Sequence, residues 1–543
     1  MRLVGVVGSG STTTYAPVIV WDRYEHLAKE EQLVIVDDER RGIKYLGVLR
    51  GAKRHEPFLN AFRRTSYVDN PDLAEMGTLP HTSVYAALIG VIGRGGEGGE
   101  GASLTEVQLP PNPGSKVYVV ESPDDLGVRL GEGLVVGTHK YSGVEVPLNP
   151  SWLPYHLAVV GATGTGKSRL VKALVDEILG RTGYRVIIFD HTGMDYVRYY
   201  PARVVRASRV VLDVALITDL MLEKTGLNPT TYEPYLLIST LYYLFKALPK
   251  DVRDEVFGAG EGEGRAGRPD AGKARMGGGL SQYGLSAPQG RDDRVTLDDM
   301  MEGIDKLNYS ALLEAVAKHR VVWDKAGFKS AVSEVAEFLR GRNVESVKIR
   351  LGVAVDVKLG DAFFKSLSGR DLLPSDIVDE VLRERLVVVD LSTEDTVVRR
   401  YVVAAVINEL WRRIGESREP VDTVVVIDEA HNYACRFCGE AGKAVGRIAR
   451  EGRKWGLGVV LVTQRIIDLD PEVRGNINTW FFSKLQTPSD FNELKGYMNL
   501  AWITEQSLAI LGRREFYVAG LMNPLKIPVL LKVREVSDPE RTR

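Results

Sequence analysis

Eight consecutive residues decide most of what this chain can fold into. Gly161-Ala162-Thr163-Gly164-Thr165-Gly166-Lys167-Ser168 fits the pattern G-x-x-x-x-G-K-[ST]. The apolar run 157–160 comes before it and a helical period over 168–179 comes after it, so the pattern lies between a strand and a helix. There the glycines let backbone N–H groups curl round phosphate oxygens, and the positive end of the helix adds to the field. Lys167 is placed to reach the β- and γ-phosphates of a nucleotide, and Ser168 to ligate Mg²⁺. The nucleotide-binding candidates are therefore Gly161, Thr163, Gly164, Thr165, Gly166, Lys167, Ser168 and Arg169. A further strand over 186–189 completes a βαβ unit, which implies a parallel sheet.

Four more signals fit a nucleotide hydrolase. The apolar run Thr423-Val-Val-Val-Ile ends in Asp428-Glu429, so Asp428 is the candidate for the Mg²⁺ shell and Glu429 for polarising the attacking water. Gln464 closes the next strand, where an amide can lie beside the γ-phosphate. Asp190 closes the strand after the phosphate-loop helix, near the nucleotide edge of such a sheet, and is a candidate to orient water or metal. Arg447, Arg450 and Arg453 partly share one helical face, and an arginine entering a neighbour's site would stabilise transition-state charge.

Three patterns carry less. Asp428-Glu429-Ala430-His431 imitates a DEAH box, but the Q-x-x-G-R-x-G-R motif of such helicases is missing. Gly8-Ser9-Gly10 is followed by a β-like stretch rather than the helix a dinucleotide fingerprint needs. Cys435 and Cys438 form a C-x-x-C beside His431. Two unremarkable thiols are the favoured reading, with a zinc site or a redox pair left open.

The remainder of the chain is read from its periods. Residues 1–150 hold short Val-rich stretches (3–7, 33–36, 43–49, 116–120 and 133–136) broken by turn residues, as in a small barrel. The α/β core takes 151–212 and 386–535, with a helical insertion over 213–385 and a tail over 536–543. Inside the insertion, 258–290 carries 11 Gly in 33 residues without a period, so 258–295 is expected to be a disordered loop. The fold class expected is thus α/β: a RecA-like P-loop NTPase core with a helical insertion, behind a small N-terminal β-barrel.

Composition removes whole classes. Lys plus Arg is 70 and Asp plus Glu is 72, a net charge of −2, so any contact with a polyanion must use a local patch. One possible patch is Arg340, Arg342, Lys348 and Arg350. Two Cys exclude a disulfide scaffold and fit a reducing compartment. The run 234–245 lies between Glu233 and Lys246, well short of the ~20 residues a spanning helix needs. A cytoplasmic protein without a membrane partner is expected.

Taken together, the chain resembles the HerA helicase family of the HerA–FtsK superfamily. The residues that carry the likeness are Tyr155-His156 with the phosphate loop, Asp190 with Gly193 and Tyr196, Asp390-Leu-Ser392, Asp428-Glu429-Ala-His431-Asn432-Tyr433, Arg450-Glu-Gly-Arg453-Lys454 and Thr463-Gln464-Arg465. Their order and spacing cover 150–535, and the β-rich start looks like that family's N-terminal barrel. The resemblance implies ATP and Mg²⁺ as cofactors. It implies a homohexameric ring on double-stranded DNA, with a NurA-type nuclease in end resection. It also implies Arg450 or Arg453 acting across the subunit interface, and nucleotide contacts from Ala519 and Gly520. Tyr155 stands where the family has Arg, so one nucleotide contact departs from the pattern. An ATP-driven protein remodeller and an ATP-binding assembly scaffold are the alternatives.

Overall fold

The computed structural model describes residues 1–55, 81–93, 103–257, 296–339 and 344–537. The expected disordered loop 258–295, Arg340, Arg342 and the end of the tail lie outside the described residues. Two compact units result. The first joins Met1–Arg203, Val381–Val388 and Leu410–Arg543; the second joins Val204–Glu380 and Val389–Glu409.

The first unit opens with β1 (Arg2–Val7), β2 (Tyr15–Val20), β3 (Leu33–Asp38), β4 (Ile43–His55), β5 (His81–Ile92), β6 (Leu104–Thr105) and β7 (Lys116–Val119). Six of these close into a barrel in the order β2-β1-β7-β3-β4-β5, because β2 also pairs with β5; β6 adds to β5 outside the ring. The inward-facing Val4, Val18, Val34, Val36, Val84 and Val117 fill it, as the period-two pattern requires. A Cβ on Gly5 would lie 2.2 Å from the Ile19 carbonyl oxygen, so β1 and β2 can meet there only at glycine.

The other strands are β8 (Gly137–His139), β9 (Leu157–Val160), β10 (Arg185–Asp190), β11 (Val204–Arg206, in the second unit), β12 (Leu386–Asp390), β13 (Thr423–Ile427), β14 (Leu457–Thr463), β15 (Thr479–Phe482), β16 (Glu515–Gly520) and β17 (Val529–Val533). In the first unit they form one sheet in the order β12-β10-β13-β14-β9-β15-β16-β17-β8. The run β10-β13-β14-β9-β15 is parallel, and β16, β17 and β8 continue it antiparallel. Every residue of β9, β13, β14 and β15 is buried, the continuous apolar signature of strands covered on both faces. The stretch 133–136 is not a strand. Leu134 makes a lone bridge to Leu148, and pairing starts only at Gly137, which lies against Val533.

The second unit's regular structure is helical among its described residues, apart from β11 and the last two residues of β12. Its long helix Pro229–Ala247 absorbs the apolar run 234–245, whose side chains are largely core. Tyr243 stacks on Trp323 at 4.6 Å, and Phe328 and Phe364 pack beyond them. The buried Arg370 forks onto Glu394 at 3.1 Å from both carboxylate oxygens. No helix among the described residues is long and apolar enough to cross a membrane.

Candidate nucleotide and metal site

β9 delivers the phosphate loop, and the helix Lys167–Arg181 leaves it. The turn needs two left-handed glycines, Gly164 at φ +82° and Gly166 at φ +103°. Thr165 is buried and braces the loop by donating from Oγ1 to the Ala162 carbonyl at 2.8 Å. Lys167 Nζ donates to the Gly161 carbonyl at 2.9 Å, so the ammonium lies inside the loop it is expected to serve. Burial pulls its pKa below the ordinary lysine range, against the attraction of Glu429, Asp428 and Asp195. Arg169 lies half-buried in the first turn of the helix.

The strand order brings the other candidates to this loop. β13 is separated from β9 by β14 alone, so the chain leaving β14 lies between the loop and Glu429. There Thr163 Oγ1 donates to Gln464 Oε1 at 2.9 Å, and Gln464 Nε2 donates to Glu429 Oε1 at 2.9 Å. Glu429 Oε2 is buried without a hydrogen-bond partner, and His431 Nδ1 lies 3.4 Å from it. Glu429 itself sits at φ +45° and ψ +50°, a strained conformation for a residue with a Cβ.

β10 lies beside β13, which sets three carboxylates together. Ligand atoms of Asp190, Asp195 and Asp428 all fall within 4.8 Å of one another. Ser168 Oγ donates to Asp195 Oδ1 at 2.7 Å. Asp428 is buried and its Oδ2 has no partner. Desolvation first, then the charges of Asp195, Glu429 and Asp190, raise the Asp428 pKa well above the usual carboxylate range. Tyr196 is fully buried beside them, and burial raises its phenol in the same way. An oxygen-only donor set around an uncompensated buried carboxylate fits Mg²⁺.

Beside its place in that cluster, Asp190 has a folding task. Its two oxygens accept the backbone N–H groups of Thr192 (3.2 Å), Gly193 (2.9 Å), Tyr196 (2.7 Å) and Val197 (3.1 Å). The carboxylate therefore folds the 191–197 turn and in doing so sets Asp195 against Ser168. Asp195 was not among the sequence candidates. Its signal was one more acid in an irregular turn, which no periodic pattern distinguishes.

Three expected contacts are not brought to the phosphate loop within one chain. Tyr155 precedes the far end of β9, roughly 13 Å of strand away, where its ring packs on Trp152 and carries the Arg453 guanidinium at 4.2 Å. Ala519 and Gly520 end β16, and Gly520 pairs with Thr479, which pairs with Leu157, so both lie at that same far end. The residue from this segment that does reach the loop is Arg514. Its N–H donates to the Thr165 carbonyl at 2.7 Å, and its Cγ would stand 3.3 Å from a Cβ on Gly166. Arg450 reaches Glu472 at 2.9 Å on the surface. Lys348 pairs with Glu337, and Arg350 lies 3.5 Å from the Tyr232 hydroxyl, so neither is an unengaged charge of an open basic patch.

Cys435 and Cys438, read from sequence as two unremarkable thiols, are joined as a disulfide. The turn into the helix Gly439–Glu451 brings their Cα atoms to 5.1 Å, within bonding reach.

The chain is similar to several known proteins. Residues 134–239 match the family described as "Helicase HerA, central domain". The DNA double-strand break repair helicase HerA of Sulfurisphaera tokodaii is 25% identical over 440 residues, which is 79% of this chain and 75% of that one. HerA of Pyrococcus furiosus is 23% identical over 517 residues, 92% and 86% of the two chains. Among solved structures, VirB4 of Thermoanaerobacter pseudethanolicus covers 75% of this chain and 97% of its own, at 16% identity and a TM-score of 0.41. Residues 134–239 thus match the central domain of the HerA helicases, and the chain is similar to HerA helicases over most of its length.

Proposed function

We propose that the chain is an ATP hydrolase that drives a DNA translocase of the HerA kind. The observation that carries this reading is the Thr163–Gln464–Glu429 chain of hydrogen bonds, which ties the phosphate loop to a half-buried carboxylate on a strained backbone. A carboxylate so held can orient and polarise a water for in-line attack on a γ-phosphate, while an amide bonded to both sides senses whether that phosphate is present. Lys167 then exchanges the Gly161 carbonyl for phosphate oxygens. Ser168, Asp428 and Asp195 would hold Mg²⁺, which would supply charge neutralisation to the phosphates. Asp190 contributes by folding the turn that positions Asp195.

The finer reading extends this to a homohexamer on double-stranded DNA that works with a NurA-type nuclease in end resection. The relatives' names support the DNA-repair part of this reading, and the exposed Arg453, which the Tyr155 ring holds on the surface where a neighbouring subunit would meet it, supports the shared seam. Arg450 or Arg453 then stabilises transition-state charge in the next subunit's site. The far-end placement of Tyr155, Ala519 and Gly520 is compatible with nucleotide contact only if that nucleotide belongs to a neighbour.

The test is ATP turnover with and without linear duplex DNA at several salt concentrations. Stimulation by DNA that fades as salt rises is expected of contacts made to phosphates. Turnover indifferent to DNA would instead favour a protein remodeller, and no turnover in any condition would favour an assembly scaffold.

A further inference from the structure

The sequence contains two cysteines, and they are bonded to each other six residues downstream of Glu429. We propose that Cys435–Cys438 is a reversible thiol–disulfide site, reacting with dithiols, whose state sets how firmly Glu429 is held. The two sulfurs are placed unequally. Cys438 is buried at the N-cap position of the 13-residue helix Gly439–Glu451; Cys435 is half-exposed. Arg436 and Phe437, between them, stand in solvent, with Phe437 85% exposed. An incoming thiolate therefore meets Cys435 first, and the thiolate it displaces, Cys438, is released at a helix N-terminus, where an anion is favoured.

The chemistry balances with a dithiol as reductant. Its thiolate attacks Cys435 Sγ, the Cys435–Cys438 bond breaks, and Cys438 leaves as a thiolate. The reagent's second thiol then displaces Cys435 from the mixed disulfide. Two electrons and two protons pass to the protein, and the reagent departs as its own disulfide. The chain holds no third cysteine to divert the exchange.

The bond has a direct path to the site. Asn432 N–H donates to the Glu429 carbonyl at 2.9 Å, Ala434 N–H to Ala430 at 2.8 Å, and Cys438 N–H to Cys435 at 3.1 Å. One unbroken series of turns thus links the strained Glu429 to the disulfide, and its far side continues as the helix that leads to Arg450 and Arg453. A backbone held away from its preferred conformation persists only where its surroundings over-determine it. Opening the bond removes the one covalent restraint in that surrounding.

This inference rests on the ATPase reading, so the experiment carries a readout that does not. The full-length chain is equilibrated in dithiothreitol buffers of graded oxidised-to-reduced ratio, and free thiols are counted by alkylation and mass. ATP turnover and amide hydrogen exchange over 429–445 are measured on the same samples. Reduction is expected to lower kcat about threefold or more and to speed exchange in 429–445, with both restored on reoxidation. The double variant C435S/C438S should sit at the reduced value and ignore the buffer; reduction of the wild-type chain makes the same point without relying on that variant's folding. Equal kcat and equal exchange in the two states would overturn the proposal, as would a bond that dithiols leave closed in the folded chain. If neither state turns over ATP, the ATPase reading falls, and exchange alone decides: a difference upholds the redox site, and equality removes it.

Discussion

Glu429 spends conformational energy to stand where it does: a left-handed backbone costs a residue with a Cβ roughly 1–2 kcal/mol, and here it places the carboxylate against Gln464. Lys167 and Glu429 have separable tasks. Lys167→Ala removes the group that reaches the phosphates and is expected to abolish turnover and weaken nucleotide binding together. Glu429→Gln keeps the shape and the bond to Gln464 but not the charge. It is expected to lower kcat by about 10²–10⁴, the range for a positioned acid–base group, while leaving nucleotide affinity near wild type. A fluorescent ATP analogue for binding and phosphate release for turnover check both. A Glu429→Gln chain with full activity would remove Glu429 from the chemistry.

Among the elements, what the sequence makes legible is what is contiguous. The phosphate loop, the apolar run into Asp428-Glu429 and the period of β14 are local patterns, and each forms where its residues predict. The barrel's β5 was not foreseen, and its closure against β2 joins segments far apart in the chain, which no local period encodes. Asp195 and Arg514 escape notice for a related reason: one is set by a turn folded around Asp190, the other by antiparallel register in β16. Two buried histidines add an element-level property. His139, which ends β8, and His156, which precedes β9, are each lowered to about 4 from 6.5, chiefly by burial. The unfolded chain takes up protons below pH 6.5 while the folded chain resists until about 4, so stability falls as pH drops through that window. Each shift of 2.5 units is worth on the order of 3 kcal/mol once fully developed. Thermal midpoints at pH 7 and pH 4.5 should drop less in His139→Gln than in the wild-type chain; equal drops would remove His139 as a contributor.

At the scale of the whole molecule, two predictions concern how parts act together. If the seam between subunits is shared as proposed, mixing Arg453→Ala with wild-type chains should depress activity faster than the mutant fraction rises, because each altered arginine disables a neighbour. A proportional fall would count against a shared site. Within the first unit, the barrel is fastened by the buried Arg50. Its guanidinium forks onto Glu31 at 2.9 Å twice and donates to the carbonyls of Ala501 (2.9 Å) and Pro528 (2.5 Å). Removing one member of such a pair typically costs about 3–5 kcal/mol, because a charge is left buried alone. Arg50→Met should therefore lower the thermal midpoint by several degrees. Adding Glu31→Gln should recover part of that loss, and a neutral Arg50→Met would show the pair to be dispensable.

The fastening has a mechanical corollary. Ala501 and Pro528 lie on the connections that flank β16, and β16 is entered through Arg514, whose amide rests on Thr165 of the phosphate loop. The barrel is consequently fastened to the connections on either side of β16, the strand whose entry braces the phosphate loop. A displacement of β16 would therefore be felt both at the barrel's buried Arg50 and at Thr165 of the loop.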